Sequence, residues 1–573
     1  MVFKRLSVFI FLTLFYITIV CSQKVLPRDY FIPPLDIKPV ITGTFGEIRP
    51  DHFHSGIDFA TQNKINSNVY CVADGYVSRI KVSATGYGNV IYVTHSNGFV
   101  SVYAHLNEFN VVVADYIRNK QYEKKSFEIE IFPNPELFKF KKGDIIGYSG
   151  NSGSSSGPHL HFEIRNEKTE RPLNPLLAGF SVYDKTCPDI SGICFYPVSA
   201  NSKVNQDKQK CYLSTVKKNN IYSLKTIDTL TLSGGIAFGV EAADRHNTAE
   251  NSGIYSLEIF VDDNLFFKIS FDSIDFDEGR YINTLTDYPE YVTSRKKIIQ
   301  THLTRGNRLN IYSAVEHRGV YFFTDTLLHN IKFVASDFYK NSTAVNVVVK
   351  SEAPQEEKNN ADPDLPLFRY GLKNHFEKDN IILDIPADAL YDSVFFEYAS
   401  IKRTRYTYSA IHRIHNKTTP LHKAVVLRIK PDTIVRESLL PKLTLADVTQ
   451  NAFTFIKSNW ENGYLSANVR KFGSYAIIAD TTPPVITPPI NYNNKQISFT
   501  EILSFRITDN FSGIDTYTLI INDKWALAEY DAKNNLLYYK VDKSHFNKGN
   551  NTINLVVTDH LNNKSSYNAI MLN

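Results

Sequence analysis

Gly157-Pro158-His159-Leu160-His161-Phe162-Glu163 places two imidazoles two positions apart with an apolar residue between them. Alternate side chains of a strand share a face, so His159 and His161 point the same way. Two other segments carry the same kind of chemistry, His52-Phe53-His54-Ser55-Gly56-Ile57-Asp58 and Tyr103-Ala104-His105-Leu106. Zn2+ binds imidazole and carboxylate well, and a catalytic zinc centre uses three protein ligands with a fourth position open. One imidazole of the pair can bind metal while the other faces its water. His54 and Asp58 add two more ligands if the chain bends through Ser55-Gly56, which glycine permits. A single His-x-His or His-x-x-x-Asp says little by itself. The three segments fall within about 110 residues, separated by turns that can return each strand to one sheet, and six of the 16 histidines lie in this region. That coincidence points to a metal site.

Outward from the motif, residues 40–180 alternate short apolar runs with glycine turns: Thr85-Gly86-Tyr87-Gly88-Asn89, Ser96-Asn97-Gly98 and Lys142-Gly143-Asp144. This is the rhythm of a compact β domain. With Thr44-Phe45-Gly46 before the first motif and Gly150-Asn151-Ser152-Gly153 leading into Pro158, the set resembles the lysostaphin/LytM-type zinc metallopeptidases, bacterial endopeptidases that cut the peptide part of peptidoglycan. The resemblance covers about a quarter of the chain. It implies that His54, Asp58 and His161 bind Zn2+ and that His105 and His159 flank the metal's water as catalytic groups. A His-Glu-x-x-His helix, the zinc motif of other peptidases, is absent. The resemblance also implies peptidoglycan as the substrate and cell-wall remodelling as the role. The alternative is a non-catalytic wall-binding or hydrolase-activating module on the same fold, and a third reading is a surface adhesin in which the peptidase domain is incidental.

One departure from the family follows His105, where more than 30 residues precede Lys142-Gly143-Asp144. Within Val111 to Glu130, the charged stretch Asp115 to Lys125 is expected to form a short helix that walls or covers the substrate cleft. Phe53 and the extended lead before Ile41 are further candidates for occluding it.

The whole chain has 573 residues, room for about four domains. Hydrophobic residues make up 43% and charged residues 21%, which excludes wholesale disorder. With 34 Tyr and 38 Phe and abundant β-branched residues, a mainly β protein is expected: a small antiparallel, barrel-like peptidase domain followed by immunoglobulin-like β-sandwich domains. A formal net charge of +4 over this length excludes nucleic acid as the main partner. The expected organisation is a signal peptide over 1–22, the peptidase domain over 23–180, a β-rich accessory domain over 181–350, an acidic, Pro-rich linker over 351–365, a second β-rich domain over 366–480 and a sandwich over 481–573.

Lys4-Arg5 followed by the apolar run Leu6 to Val20 has the order of a secretory signal peptide, so the protein is expected in the periplasm, cell envelope or outside, with no transmembrane helix after cleavage. Lipidation at Cys21 is disfavoured by Val20 before it. Of the remaining cysteines, Cys187 and Cys194 are the expected bridge and Cys71 a buried hydrophobe. The His412, His415 and His422 cluster sits among Arg413, Lys417 and Lys423 and is read as a cationic surface. The C-terminal blocks are expected to bind other envelope components or to position the peptidase.

Overall fold

The computed structural model describes residues 26–219, 221–225, 229–246, 251–355, 365–450 and 452–573. The expected signal peptide with Cys21 and most of the expected linker lie outside them. The protein is mostly β, as composition indicates, in largely antiparallel sheets, with a parallel pair between Leu230–Ala243 and Ser342–Glu352. Among the described residues, no helix is long and apolar enough to cross a membrane.

The first sheet holds β1 (Ile41–Gly43), β2 (Ile57–Ala60), β3 (Gly75–Val82), β4 (Asn89–His95), β5 (Phe99–Leu106) and β6 (His159–Asn166). Their spatial order is β1-β2-β6-β5-β4-β3, which sets β6 between β2 and β5. Alternation on β6 is strict. Leu160, Phe162 and Ile164 enter the core, where Phe162 meets Phe59, Tyr103 and Phe180. The opposite face carries His159, His161, Glu163 and Arg165. Asp58 on β2 pairs directly with His161, so the carboxylate and the imidazole emerge side by side.

One apolar core runs from Leu26 to Val349, takes in Tyr391, and joins the first sheet to the following block. Their meeting point lies just before the first motif. At Gly46, with φ of 77°, an added Cβ would come within 2.6 Å of the Phe271 ring, so only glycine fits there. Separate cores serve residues between Phe368 and Ile477 and between Tyr492 and Met571. The last core is enclosed by two four-stranded sheets.

The segment after His105 forms a helix, α1 (Val111–Lys124), capped by the Asn110 side chain on Val112 N. It is no lid, since no residue between 111 and 140 lines the cleft. Val113, Ile117 and Gln121 pack inward, and the outer side meets the last sandwich. There Arg118 pairs with Asp542 at 2.8 Å and Tyr122 lies against Trp525 and His545. The extended lead does not occlude the cleft either, because Leu26, Phe31 and Leu35 are buried in the core and none of residues 26–41 lines the cleft.

The expected Cys187–Cys194 bridge is absent, and Cys71, Cys187, Cys194 and Cys211 are all free thiols. Asp189–Pro197 runs as a strand, and at about 3.3 Å per residue it carries Cys194 into the buried sheet and away from exposed Cys187. Cys71 is buried, as its apolar setting indicates. The His412, His415 and His422 group is not a cationic surface. His412 is buried on the Tyr398 hydroxyl, His415 packs on Phe396 and Phe472, and His422 stacks on Tyr281 with ring centroids 4.5 Å apart.

Candidate active site

Three ligand atoms converge at the floor of a cleft. His54 Nε2 lies 2.9 Å from His161 Nδ1 and 3.1 Å from Asp58 Oδ1, and His161 Nδ1 lies 3.0 Å from Asp58 Oδ1. All three residues are buried. Bonds of about 2.0–2.1 Å at tetrahedral angles hold ligand atoms about 3.3 Å apart, so shifts of a few tenths of an ångström would admit Zn2+ among these three. Gly43 makes room for the carboxylate, because a Cβ there would stand 2.3 Å from Asp58 Oδ2.

Each imidazole is oriented by a partner on its far nitrogen, which fixes the tautomer. His54 Nδ1 donates to the Thr44 carbonyl at 2.8 Å, leaving Nε2 for the centre. His161 Nε2 donates to Glu163 Oε1 at 2.8 Å, leaving Nδ1. His105 Nδ1 donates to the Ser152 carbonyl and His159 Nδ1 to the Gly157 carbonyl, each at 2.9 Å, so both turn Nε2 toward the cleft. Their rings are 4.9 Å apart, and His159 Nε2 is 3.5 Å from Asp58 Oδ1.

His105 reaches this face through a bulge. His161 pairs with Ala104, so regular alternation would send His105 to the opposite side. Between the pairs Ile91↔Tyr103 and Asn89↔Leu106, β5 carries one residue more than β4, and His105 has φ of 59°. The extra residue turns the imidazole back toward His54, Asp58 and His161.

The electrostatics follow from burial and close neighbours. Burial and the adjoining His161 and His159 push His105 down to about 3, so it stays neutral at physiological pH. Burial alone would raise Asp58, but His54 beside it, together with His159 and His161, holds its carboxyl well below the usual range. Burial would also raise Glu163. Arg165 and the His161 hydrogen bond outweigh it and hold this carboxyl well below the usual range.

All five residues expected from the sequence, His54, Asp58, His105, His159 and His161, therefore line one cleft. Sequence reasoning gave no role to Glu163, which also accepts hydrogen bonds from Ser55 Oγ at 2.7 Å, the Tyr87 hydroxyl at 2.5 Å and Arg165 Nε at 2.5 Å. The period-2 alternation of His159, His161 and Glu163 was the available signal. No local signal marks the far wall. The cleft, of about 840 Å3, is completed by Asn251, Ile274, Asp275, Phe276 and Gly279 from the second block. Half-exposed Phe276 lies 4.6 Å from the Arg165 guanidinium.

The model of Peptidase family M23 matches residues 52–122 and 138–175, and that of a Zu5-like domain matches residues 366–480. The chain is 29% identical over 136 residues to the DD-carboxypeptidase/endopeptidase Mpg of Neisseria meningitidis, covering 24% of this chain and 25% of that one. It is 32% identical over 111 residues to lysostaphin of Staphylococcus simulans, covering 19% and 17%. It thus spans about a quarter or less of the length of these curated relatives. A zinc-containing peptidase from Vibrio cholerae is 26% identical with a TM-score of 0.19, covering 26% of this chain and 39% of that one. The segment that brings His54, Asp58, His105, His159 and His161 together is accordingly a Peptidase family M23 domain, homologous to Mpg and lysostaphin.

Proposed function

We propose that this protein is an exported zinc endopeptidase that cuts peptide bonds in the stem peptides or crosslinks of bacterial peptidoglycan and so remodels the cell wall. The observation that carries the reading is the convergence of His54 Nε2, Asp58 Oδ1 and His161 Nδ1 within 2.9–3.1 Å of one another, with two further imidazoles facing the same point. Zn2+ held by those three atoms would lower the pKa of its water to about 7 and polarise the scissile carbonyl.

The remaining chemistry belongs to the chain. His159, with Nδ1 committed to the Gly157 carbonyl, accepts a proton from the attacking water at Nε2, while neutral His105, with Nδ1 on the Ser152 carbonyl, orients that water through its Nε2. The resulting imidazolium donates to the developing tetrahedral oxygen or returns the proton to the leaving amine. Glu163 keeps His161 turned with Nδ1 inward. The open cleft between the M23 sheet and the 274–279 segment accommodates an extended peptide.

Hydrolysis of purified sacculi by the mature protein, followed by mass spectrometry of the products, tests this reading beside a His159→Ala control and a zinc assay of both. Fragments whose new ends map to one peptide bond, absent from the control, are expected. Stoichiometric zinc without cleavage would overturn the substrate assignment. Neither zinc nor cleavage would favour the binding module.

A further inference from the structure

The second and fourth β blocks are built alike where the chain enters them. Asp184 and Asp480 each stand four residues before a proline, Pro188 and Pro484, and accept a backbone N–H two residues on, from Thr186 at 2.8 Å and Thr482 at 3.0 Å. Near the end of each block an aspartate takes both N–H groups of the asparagine four residues later. Asp337 accepts from Asn341 N at 2.8 Å and Nδ2 at 2.6 Å, and Asp559 accepts from Asn563 N and Nδ2, both at 2.7 Å. The same amides reach back to the opening residues, Asn341 Nδ2 to the Asp184 carbonyl at 3.3 Å and Asn563 Nδ2 to the Asp480 carbonyl at 3.1 Å. Thr343 and Ser565 then donate to the Pro188 and Pro484 carbonyls. A third aspartate, Asp244 or Asp509, precedes a Ser-Gly-Ile turn in each block, Ser252-Gly253-Ile254 or Ser512-Gly513-Ile514.

In the fourth block one oxygen each from Asp480, Asp509 and Asp559 lies within 4.8 Å of the others. Asp480 is 3% exposed and Asp559 fully buried. Neighbouring cations are engaged elsewhere, Lys442 on the Leu561 carbonyl at 2.8 Å and His560 facing Asp515 at 2.7 Å. Two buried oxygens there have no hydrogen-bond partner, Asp509 Oδ1 and the hydroxyl of Ser512. Ser512 is 3% exposed, and its backbone nitrogen donates to Asp480 Oδ2 at 3.2 Å. Three carboxylates drawn together, two of them buried, repel one another unless a positive charge joins them.

In the second block an imidazole takes that place. His246, 4% exposed, stands between two of the equivalent aspartates, with Nδ1 2.9 Å from Asp184 Oδ2 and Nε2 3.0 Å from Asp244 Oδ2. Each nitrogen faces a different carboxylate, without a hydrogen bond to it, and the ring occupies the space between them. In the fourth block the residue at the same spacing, two after Asp509, is Phe511, which carries no charge.

We propose that Asp480, Asp509 and Asp559 bind one divalent cation of the calcium class at the entrance to the last sandwich, in the position that His246 takes in the second block. An all-oxygen donor set selects Ca2+ over Zn2+, and a site of this kind in an exported module binds in the range of about 10⁻⁴–10⁻³ M. The ion ties the chain entering the sandwich to two of its loops. That sandwich also touches the loop beside the active site, where Lys533 donates to the Asn151 carbonyl and, at 3.0 Å, to the Ser155 carbonyl.

The test is titration of CaCl2 into the full-length, zinc-loaded protein by calorimetry, with thermal unfolding in parallel, beside Asp509→Asn, Asp480→Asn and Asp244→Asn. One Ca2+ per chain and a raised melting temperature are expected, with affinity reduced at least about tenfold in the first two variants and retained in Asp244→Asn. No binding by the unaltered protein at about 10 mM, ten times the weak end of that range, would overturn the proposal whatever the variants do. Undiminished binding by folded Asp509→Asn would overturn the ligand set. Two ions per chain, one lost in Asp244→Asn, would overturn the role given to His246.

Discussion

Glu163 Oε1 accepts the Nε2–H of His161 at 2.8 Å from two positions along the same strand face, so one carboxylate fixes which nitrogen of the imidazole turns toward His54 and Asp58. Carboxylate partners of metal-binding histidines set ring orientation and basicity, and their loss typically weakens metal affinity about 10–100-fold. Glu163→Gln is expected to weaken zinc binding by that amount, with activity recovering in excess zinc. Competition with a chromophoric chelator measures the affinity. An unchanged zinc affinity would show that Glu163 only braces Arg165 and Tyr87.

The ligand and proton-transfer roles separate in a pair of variants. His161→Ala is expected to lose zinc and activity together. His105→Ala should keep stoichiometric zinc and lose about 10²–10⁴-fold in kcat, the usual contribution of a positioned acid or base. Metal analysis beside single-turnover rates reads both. Equal zinc loss in the two would mean that the roles are wrongly divided.

Phe276 comes from the second block yet forms the rim of the cleft. Phe276→Ala is expected to raise KM several-fold for crosslinked peptides while leaving kcat and zinc content unchanged, because it removes contact area away from the reacting atoms. A fall in kcat with KM unchanged would place the ring nearer the chemistry than the cleft geometry does.

Lys533 holds the backbone carbonyls of Asn151 and Ser155, in the loop whose residues Ser154, Ser155 and Ser156 line the cleft. Replacing it with alanine frees both carbonyls. Faster hydrogen exchange across residues 150–157 is expected, with zinc content unaltered and a modest loss of rate. Unchanged exchange would show that the loop holds its shape without the last sandwich.

Burial pushes the thiols of Cys71 and Cys194 up to about 12. A thiol with that pKa is about 10⁻⁴ ionised at pH 8, and only the thiolate attacks. Iodoacetamide at pH 8 should therefore label exposed Cys187 in the native protein and spare Cys71 and Cys194 until it is denatured, as peptide mass spectrometry would read. Protection of Cys187 in the native state, lifted by reductant, would indicate a disulfide.

The sequence by itself determined the mostly β class, the M23 domain and the five residues that the structure brings to one cleft, because those residues lie in short motifs; for His159 and His161 the period-2 spacing alone places both on one face. It determined a helix after His105 but not its position, since a helix's partner is set by the surfaces that meet it, here the sandwich carrying Asp542 and Trp525. Pairing of β2 with β6, which puts Asp58 beside His161, and the bulge that turns His105 back are properties of register, fixed only when strands distant in sequence align. The cysteine bridge failed for a related reason, since nearness along an extended strand is distance in space. Tertiary structure alone decided the cleft wall at Phe276, the hold of Lys533 on the active-site loop, and the two aspartate clusters at the sandwich entrances. Each joins groups tens to hundreds of residues apart, whose chemistry appears only when packing brings them within a few ångströms.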